Sequence, residues 1–209
     1  ASISFTKDKV WIQGQGSNTI IRAGVNSSLF SLIQDASPAI EYLKFSDFAI
    51  DGVKGTYPAT TGIYTEGVAK SLIDNVHFYN LNYGLIMKNV VSDWNFNNRI
   101  TNCIFYDNVN GIYINNAHGF IITNNVFRSM TGRAIWAENT SNQLLLGDNW
   151  VGYSGPNSAT QGAVEVTGAI DLMIVGGTYS GITGANCIYV GSSKNVTITG
   201  ATILDAGRV

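Results

Sequence analysis

The sequence predicts an all-β protein whose short strands wind around one axis, a β-solenoid of about seven to eight turns with roughly 25 residues in each. Three observations predict it. An apolar–x–Asn/Asp/Gly–x–x–apolar motif recurs at Phe45-Asp47-Ile50, Ile73-Asn75-Phe78, Ile100-Asn102-Phe105, Ile122-Asn124-Phe127, Leu146-Asp148-Val151, Ile174-Gly176-Tyr179 and Ile198-Gly200-Ile203, at spacings of 28, 27, 22, 24, 28 and 24 residues. A second motif runs in phase with it: GIYTEG from 62, GLIMKN from 84, GIYINN from 111, AIWAEN from 134, AVEVTG from 163 and CIYVGS from 187. The composition agrees, because 23 Gly and 22 Asn against 3 Pro in 209 residues suit many turns rather than helices.

Each repeat therefore carries a short alternating strand, a loop, and a second strand bent at Asn or Gly. Such a unit cannot bury its own apolar face, so copies must stack. No helical pattern separates the strands, which excludes βαβ units and helical repeat arrays. Alternation puts Ile63, Leu85, Ile112, Ile135, Val164 and Ile188 in one inward column, and Ile73, Ile100, Ile122, Leu146, Ile174 and Ile198 in another. Asn75, Asn102 and Asn124 fall where the chain turns sharply, and Gly176 and Gly200 meet the same demand for a left-handed residue. Each Asn amide is expected to bond to its equivalents in the turns above and below. One domain is expected over residues 1–209, with opening turns in 1–40, regular coils in 41–209, and a longer parent chain.

Hydrophobic residues at 45% supply a core, and charged residues at 12% are scarce. With a net charge of −2 and no run of Lys or Arg, nucleic acid and anionic membranes are poor partners. No stretch approaches 18 consecutive apolar residues, so membrane insertion is not expected. Cys103 and Cys187 fall three turns apart, about 14 Å at ~4.8 Å per stacked strand, which is too far for a disulfide. Both are expected to be buried thiols.

On these motifs the chain resembles the right-handed parallel β-helix proteins: the pectin-lyase-like superfamily and, most of all, bacteriophage tailspike depolymerases. VWIQGQGSNTII, from residue 10, looks like the opening turn of phage members. The resemblance implies right-handedness, a homotrimer, a virion-tail or extracellular location, and action on a bacterial surface polysaccharide (capsule or O-antigen) by hydrolysis or β-elimination. Its catalytic signatures do not carry over. Polygalacturonase-like members have clustered aspartates, Gly-His-Gly and Arg-x-Lys, whereas this chain offers only His118-Gly119. Pectate-lyase-like members hold calcium with several carboxylates and use an arginine as base. No such cluster is found here, and Arg99, Arg128 and Arg133 have no evident acidic partner in the sequence. No metal or cofactor is expected.

Inward positions are structural, so chemistry is expected on outward columns and loops. Alternation gives one outward column, Tyr64, Ile86, Tyr113, Trp136, Glu165 and Tyr189, and beside it Glu66, Lys88, Asn115, Glu138, Thr167 and Gly191. Trp136 and Tyr113 are the first candidates for stacking on sugar C–H faces, with Tyr64, Tyr189 and the loop residue Trp94. Asn115 and Lys88 are candidates for hydrogen bonds to hydroxyls, although a surface pair with Glu66 also accounts for Lys88. Glu138 and Glu165 lie on adjacent turns two residues out of register, about 8 Å apart at the backbone. That falls in the range of inverting glycosidases, so they are the candidate acid and base; two solvated glutamates are the alternative. The expected function is a glycan depolymerase. The alternatives are a non-catalytic carbohydrate-binding adhesin and a structural β-helix spacer.

Overall fold

The turns are fixed by columns of left-handed residues. In a computed structural model, which describes residues 2–33, 39–89, 96–139, 143–156, 158 and 160–204, the motif positions Asp47, Asn75, Asn102, Asn124, Asp148, Gly176 and Gly200 all have φ between 48° and 66°. Three further columns do the same work with mixed residues. Lys9, Tyr42, Lys70, Asn97, Gly119, Gln143, Asp171 and Asn195 form one. Asn80, Asp107, Ser129, Tyr153 and Gly181 form the second, and Gly67, Asn116, Asn139, Gly168 and Ser192 the third. Left-handed backbone is costly for non-glycine residues, so these positions persist only because the stacked neighbours impose them.

Between the corners the strands pair in parallel with the next turn, giving a parallel β-solenoid with two long sheets. Sheet A has eight strands: Ile3–Phe5, Ser28–Ile33, Thr61–Glu66, Tyr83–Lys88, Asn110–Asn115, Ile135–Glu138, Gly162–Thr167 and Asn186–Gly191. Sheet B has fourteen and folds around the Asn corner, so that most turns contribute two limbs, such as Arg99–Thr101 and Ile104–Tyr106. In Lys44–Asp51 and Leu72–Tyr79 one bent strand supplies both limbs.

Both expected inward columns are present in register. All but their last members are buried. Ile198, which pairs with Ile174, is 48% exposed. A third column comes from the second limb, where the rings of Phe78, Phe105 and Phe127 stack at 4.7 Å with planes within 8°. Each ring takes the space that a side chain on the facing strand of sheet A would need. A Cβ on Gly84 would lie 2.6 Å from the ring of Phe105, and one on Gly111 would lie 2.8 Å from Phe127. In the next turn Val151 replaces the ring, and Ala134 replaces the glycine. Cys103 and Cys187 are both free and buried, and burial pushes the Cys103 thiol up to about 12.

The asparagine corner meets the sequence expectation at Asn75, which bonds to its equivalent Asp47, and differs from it elsewhere. Asn75, Asn102 and Asn124 are exposed, and the first two donate to carboxylates, Asp47 and Asp74, at 2.9 Å each. The buried amide ladder lies one residue further on. Asn125 Oδ1 accepts from the Cys103 backbone N–H (2.9 Å), and Asn149 Oδ1 accepts from both the backbone and the side chain of Asn125 (3.1 Å each). The side-chain amides of Asn125 and Asn149 donate to the carbonyls of Ile100 and Ile122. Asn98 and Asn108 satisfy the buried backbone at two other corners in the same way. The reason is geometric: the left-handed residue turns its side chain outward, so its successor faces the interior and must satisfy the backbone there.

Candidate functional site

The outer face of sheet A carries the two columns expected from alternation. The register pairs Tyr64, Ile86, Tyr113, Trp136, Glu165 and Tyr189 in consecutive turns, and likewise Glu66, Lys88, Asn115, Glu138, Thr167 and Gly191. Trp94 falls outside the described residues.

The groups form three clusters. In the first, Tyr64 donates to Glu66, Lys88 pairs with Glu66 at 3.0 Å, and the Lys88 ammonium stands 5.3 Å from the Tyr64 ring centre. Lys88 is thus committed to Glu66. Burial, then the Glu66 carboxylate, raises the pKa of the Tyr64 phenol.

The second cluster centres on Glu138. Its Oε2 accepts from the Tyr113 hydroxyl at 3.0 Å and from the Asn115 amide at 3.5 Å, and Asn115 also donates to the Tyr113 oxygen at 3.2 Å. Burial, then this carboxylate, raises the Tyr113 pKa, so the phenol remains a donor at neutral pH. Among the described residues Glu138 has no cationic partner.

The third cluster corrects the sequence expectation for Glu165 and Arg133. Glu165 is only 7% exposed. Arg133 donates to it through Nε (2.7 Å to Oε2) and Nη2 (3.2 Å to Oε1), and the Gly162 N–H adds a bond to Oε2 at 3.2 Å. Arg133 therefore has an acidic partner 32 residues away, and Glu165 is not an open carboxylate. The guanidinium lies 4.2 Å from the Trp136 ring centre, and the Tyr113 ring is 4.5 Å away from the same indole. Trp136 is fixed between cation and ring, while its Nε1–H is buried without an acceptor among the described residues. Tyr189, at 36% exposure, is the most open ring of the column, and Tyr83 extends the cluster with its ring centre 6.3 Å from that of Tyr113. Sequence reasoning missed Tyr83 and Arg133 because both precede the second motif: Tyr83 opens the strand Tyr83–Lys88, and Arg133 lies before the strand Ile135–Glu138. Among the described residues, no group of three or more His, Cys, Asp or Glu could hold a metal ion.

The family model for a right handed beta helix region matches residues 2–151, more than half of the sequence. The chain belongs to the right-handed β-helix family. No curated protein matches this β-helix significantly. Among solved structures it is similar to ORF18 of Geobacillus virus E2, with 9% identity, a TM-score of 0.40 and 92% of this chain covered. It spans about half (51%) of that protein's length. It is also similar to the A-module of the mannuronan C-5 epimerase AlgE4 from Azotobacter vinelandii, with 15% identity, a TM-score of 0.40, and coverage of 97% of this chain and 74% of that one.

Proposed function

We propose that the outer face of sheet A binds an extended polysaccharide, with a bacterial capsule or O-antigen glycan as the first ligand to test. One observation carries this reading: rings at four of six successive turns, Tyr64, Tyr113, Trp136 and Tyr189, stand beside a column that holds Glu66, Lys88, Asn115, Glu138 and Thr167, so aromatic and hydrogen-bonding groups recur along the axis as a polymer ligand requires. Ring faces accept sugar C–H groups, and Glu138, held by Tyr113 and Asn115, presents a charged acceptor to hydroxyls. Tyr113, Trp136 and Asn115 are positioned before any ligand arrives, which lowers the ordering cost of binding.

Binding without cleavage by the Glu138/Glu165 pair is the better reading of this face. A general acid or base must reach the glycosidic oxygen or a water. Both oxygens of Glu165 are taken by Arg133 and Gly162, and the group is almost fully covered. Its role on this reading is to hold Arg133 over Trp136.

Affinity electrophoresis and calorimetry with capsule and O-antigen preparations test the proposal, with new reducing ends measured in parallel. Tyr113→Ala and Glu138→Ala are each expected to weaken binding about ten- to a hundredfold, the scale of losing a hydrogen bond to a charged group. If every glycan is ignored, or if both variants bind as the parent does, the reading falls. Release of reducing ends that stops with Glu165→Gln would restore the catalytic pair.

A further inference from the structure

A second outward track lies on the other side of the molecule. On the second limb of sheet B, the residue after each inward ring points outward, and the register places Tyr79, Tyr106, Arg128 and Gly152 in consecutive turns. Tyr106 is 47% exposed, and the Arg128 guanidinium sits 5.9 Å from its ring centre. Gly152 has no side chain, and the indole of Trp150 lies across its position, where a Cβ would collide with the ring. Tyr153, 64% exposed, meets that indole edge-on with ring centres 6.5 Å apart. Rings therefore stand on both sides of one guanidinium along four turns.

The charges on this track are distributed unlike those of sheet A. Asp51 is paired with Arg22 at 2.9 Å, and Asp107 with Lys54 at 3.2 Å. Arg128 is the charge left over, with no carboxylate partner among the described residues. On sheet A the charge without an oppositely charged partner among the described residues is the Glu138 carboxylate. A cation–π contact alone leaves the N–H donors of Arg128 unused, and their planar fork matches a carboxylate. Exposed rings beside an unpaired arginine suit a sugar that carries an acid group.

We propose that Tyr106, Arg128, Trp150 and Tyr153 form a binding site for acidic oligosaccharides. Arg128 pairs with a sugar carboxylate, Tyr106 and Trp150 take the C–H faces of the sugars on either side, and Tyr153 rims the site. It is independent of the sheet A face.

Titration calorimetry of the intact chain with oligogalacturonate and oligosialate, against neutral cello- and malto-oligosaccharides, tests this site. At least one acidic probe should bind, more weakly as salt is raised, and the neutral probes should bind at least about tenfold more weakly. Arg128→Gln and Trp150→Ala should each reduce acidic binding about tenfold or more. Arg99→Gln, which removes an exposed cation on the other limb of sheet B, should leave it within about twofold. Arg128→Gln alters an exposed side chain, and an unchanged circular dichroism spectrum will show that the variant is folded. The proposal is overturned if neither acidic probe binds, if neutral and acidic probes bind alike, or if Arg128→Gln binds as the parent does. Failure here leaves sheet A untouched, because Tyr113→Ala reads that face separately.

Discussion

Neighbouring positions on the same strands obey different rules inside and outside the coil. Phe78, Phe105 and Phe127 repeat one ring on another at 4.7 Å, and the facing position is glycine in each of those turns. One residue along, the outward column changes from Tyr106 to Arg128 to Gly152 within two turns. Inside, every residue must fit the turn above, the turn below and the opposite sheet, so the sequence repeats. Outside, a side chain needs only a partner or water, so the chemistry varies and local clusters such as Arg133–Glu165–Trp136 can form.

The largest expected effect tests the interior rule. Phe105→Ala should cost about 3–5 kcal/mol in chemical denaturation, because the fully buried ring has a stacked neighbour on each side. Gly84→Ala should cost about 1–3 kcal/mol by forcing the Phe105 ring aside. In a Phe105→Leu background that cost should shrink; an unchanged cost would show that the ring does not select the glycine.

The next prediction asks whether the outer face can match the core. Arg133→Gln leaves Glu165 buried and unpaired, and should cost about 3 kcal/mol, close to the loss of a core ring. Lys88→Gln removes a more exposed partner, with side-chain exposures of 34% for Lys88 and 16% for Glu66, and should cost less than about 1 kcal/mol. Equal losses from the two would end the distinction drawn between these ion pairs.

A loss between those of Arg133→Gln and Lys88→Gln is expected at the polar corner. Asn125→Ala removes the acceptor of the buried Cys103 N–H and a donor to the Ile100 carbonyl, at about 1–3 kcal/mol. Hydrogen exchange at the Cys103 amide should accelerate, whereas Asn124→Gly, at φ 58° on the exposed corner, should leave it unchanged. The smallest effect concerns pH. Burial lowers the His77 pKa below its ordinary value of 6.5, so the unfolded chain binds that proton more readily. This contribution is complete above about pH 6.5 and declines as pH falls below it. Melting temperatures between about pH 5 and 8 should show a shallower acid-side decline in His77→Gln.

The columns Ile63–Leu85–Ile112–Ile135 and Ile73–Ile100–Ile122–Leu146 were legible in the sequence because an interior shared by stacked turns imposes one residue class at a fixed phase. The same phase gave the outward columns of sheet A. It also implied that Tyr79, Tyr106 and Arg128 face outward, since Phe78, Phe105 and Phe127 face in, although no repeated residue type marks that column. Two of the four left-handed corners were illegible. Lys70, Gln143 and Ser129 adopt that backbone through stacking rather than through their own preference, so no motif marks them.

The sequence by itself determined the coil, its register and which positions point outward, because hydrophobic periodicity is a local property copied from turn to turn. Only the tertiary structure decided which outward groups are already spoken for. Arg133 closes on Glu165 and covers Trp136, and Asn125 rather than Asn124 carries the buried ladder. Arg133 and Glu165, like Asn125 and Cys103, lie a full turn or more apart along the chain, and the corner geometry that joins them leaves no periodic trace.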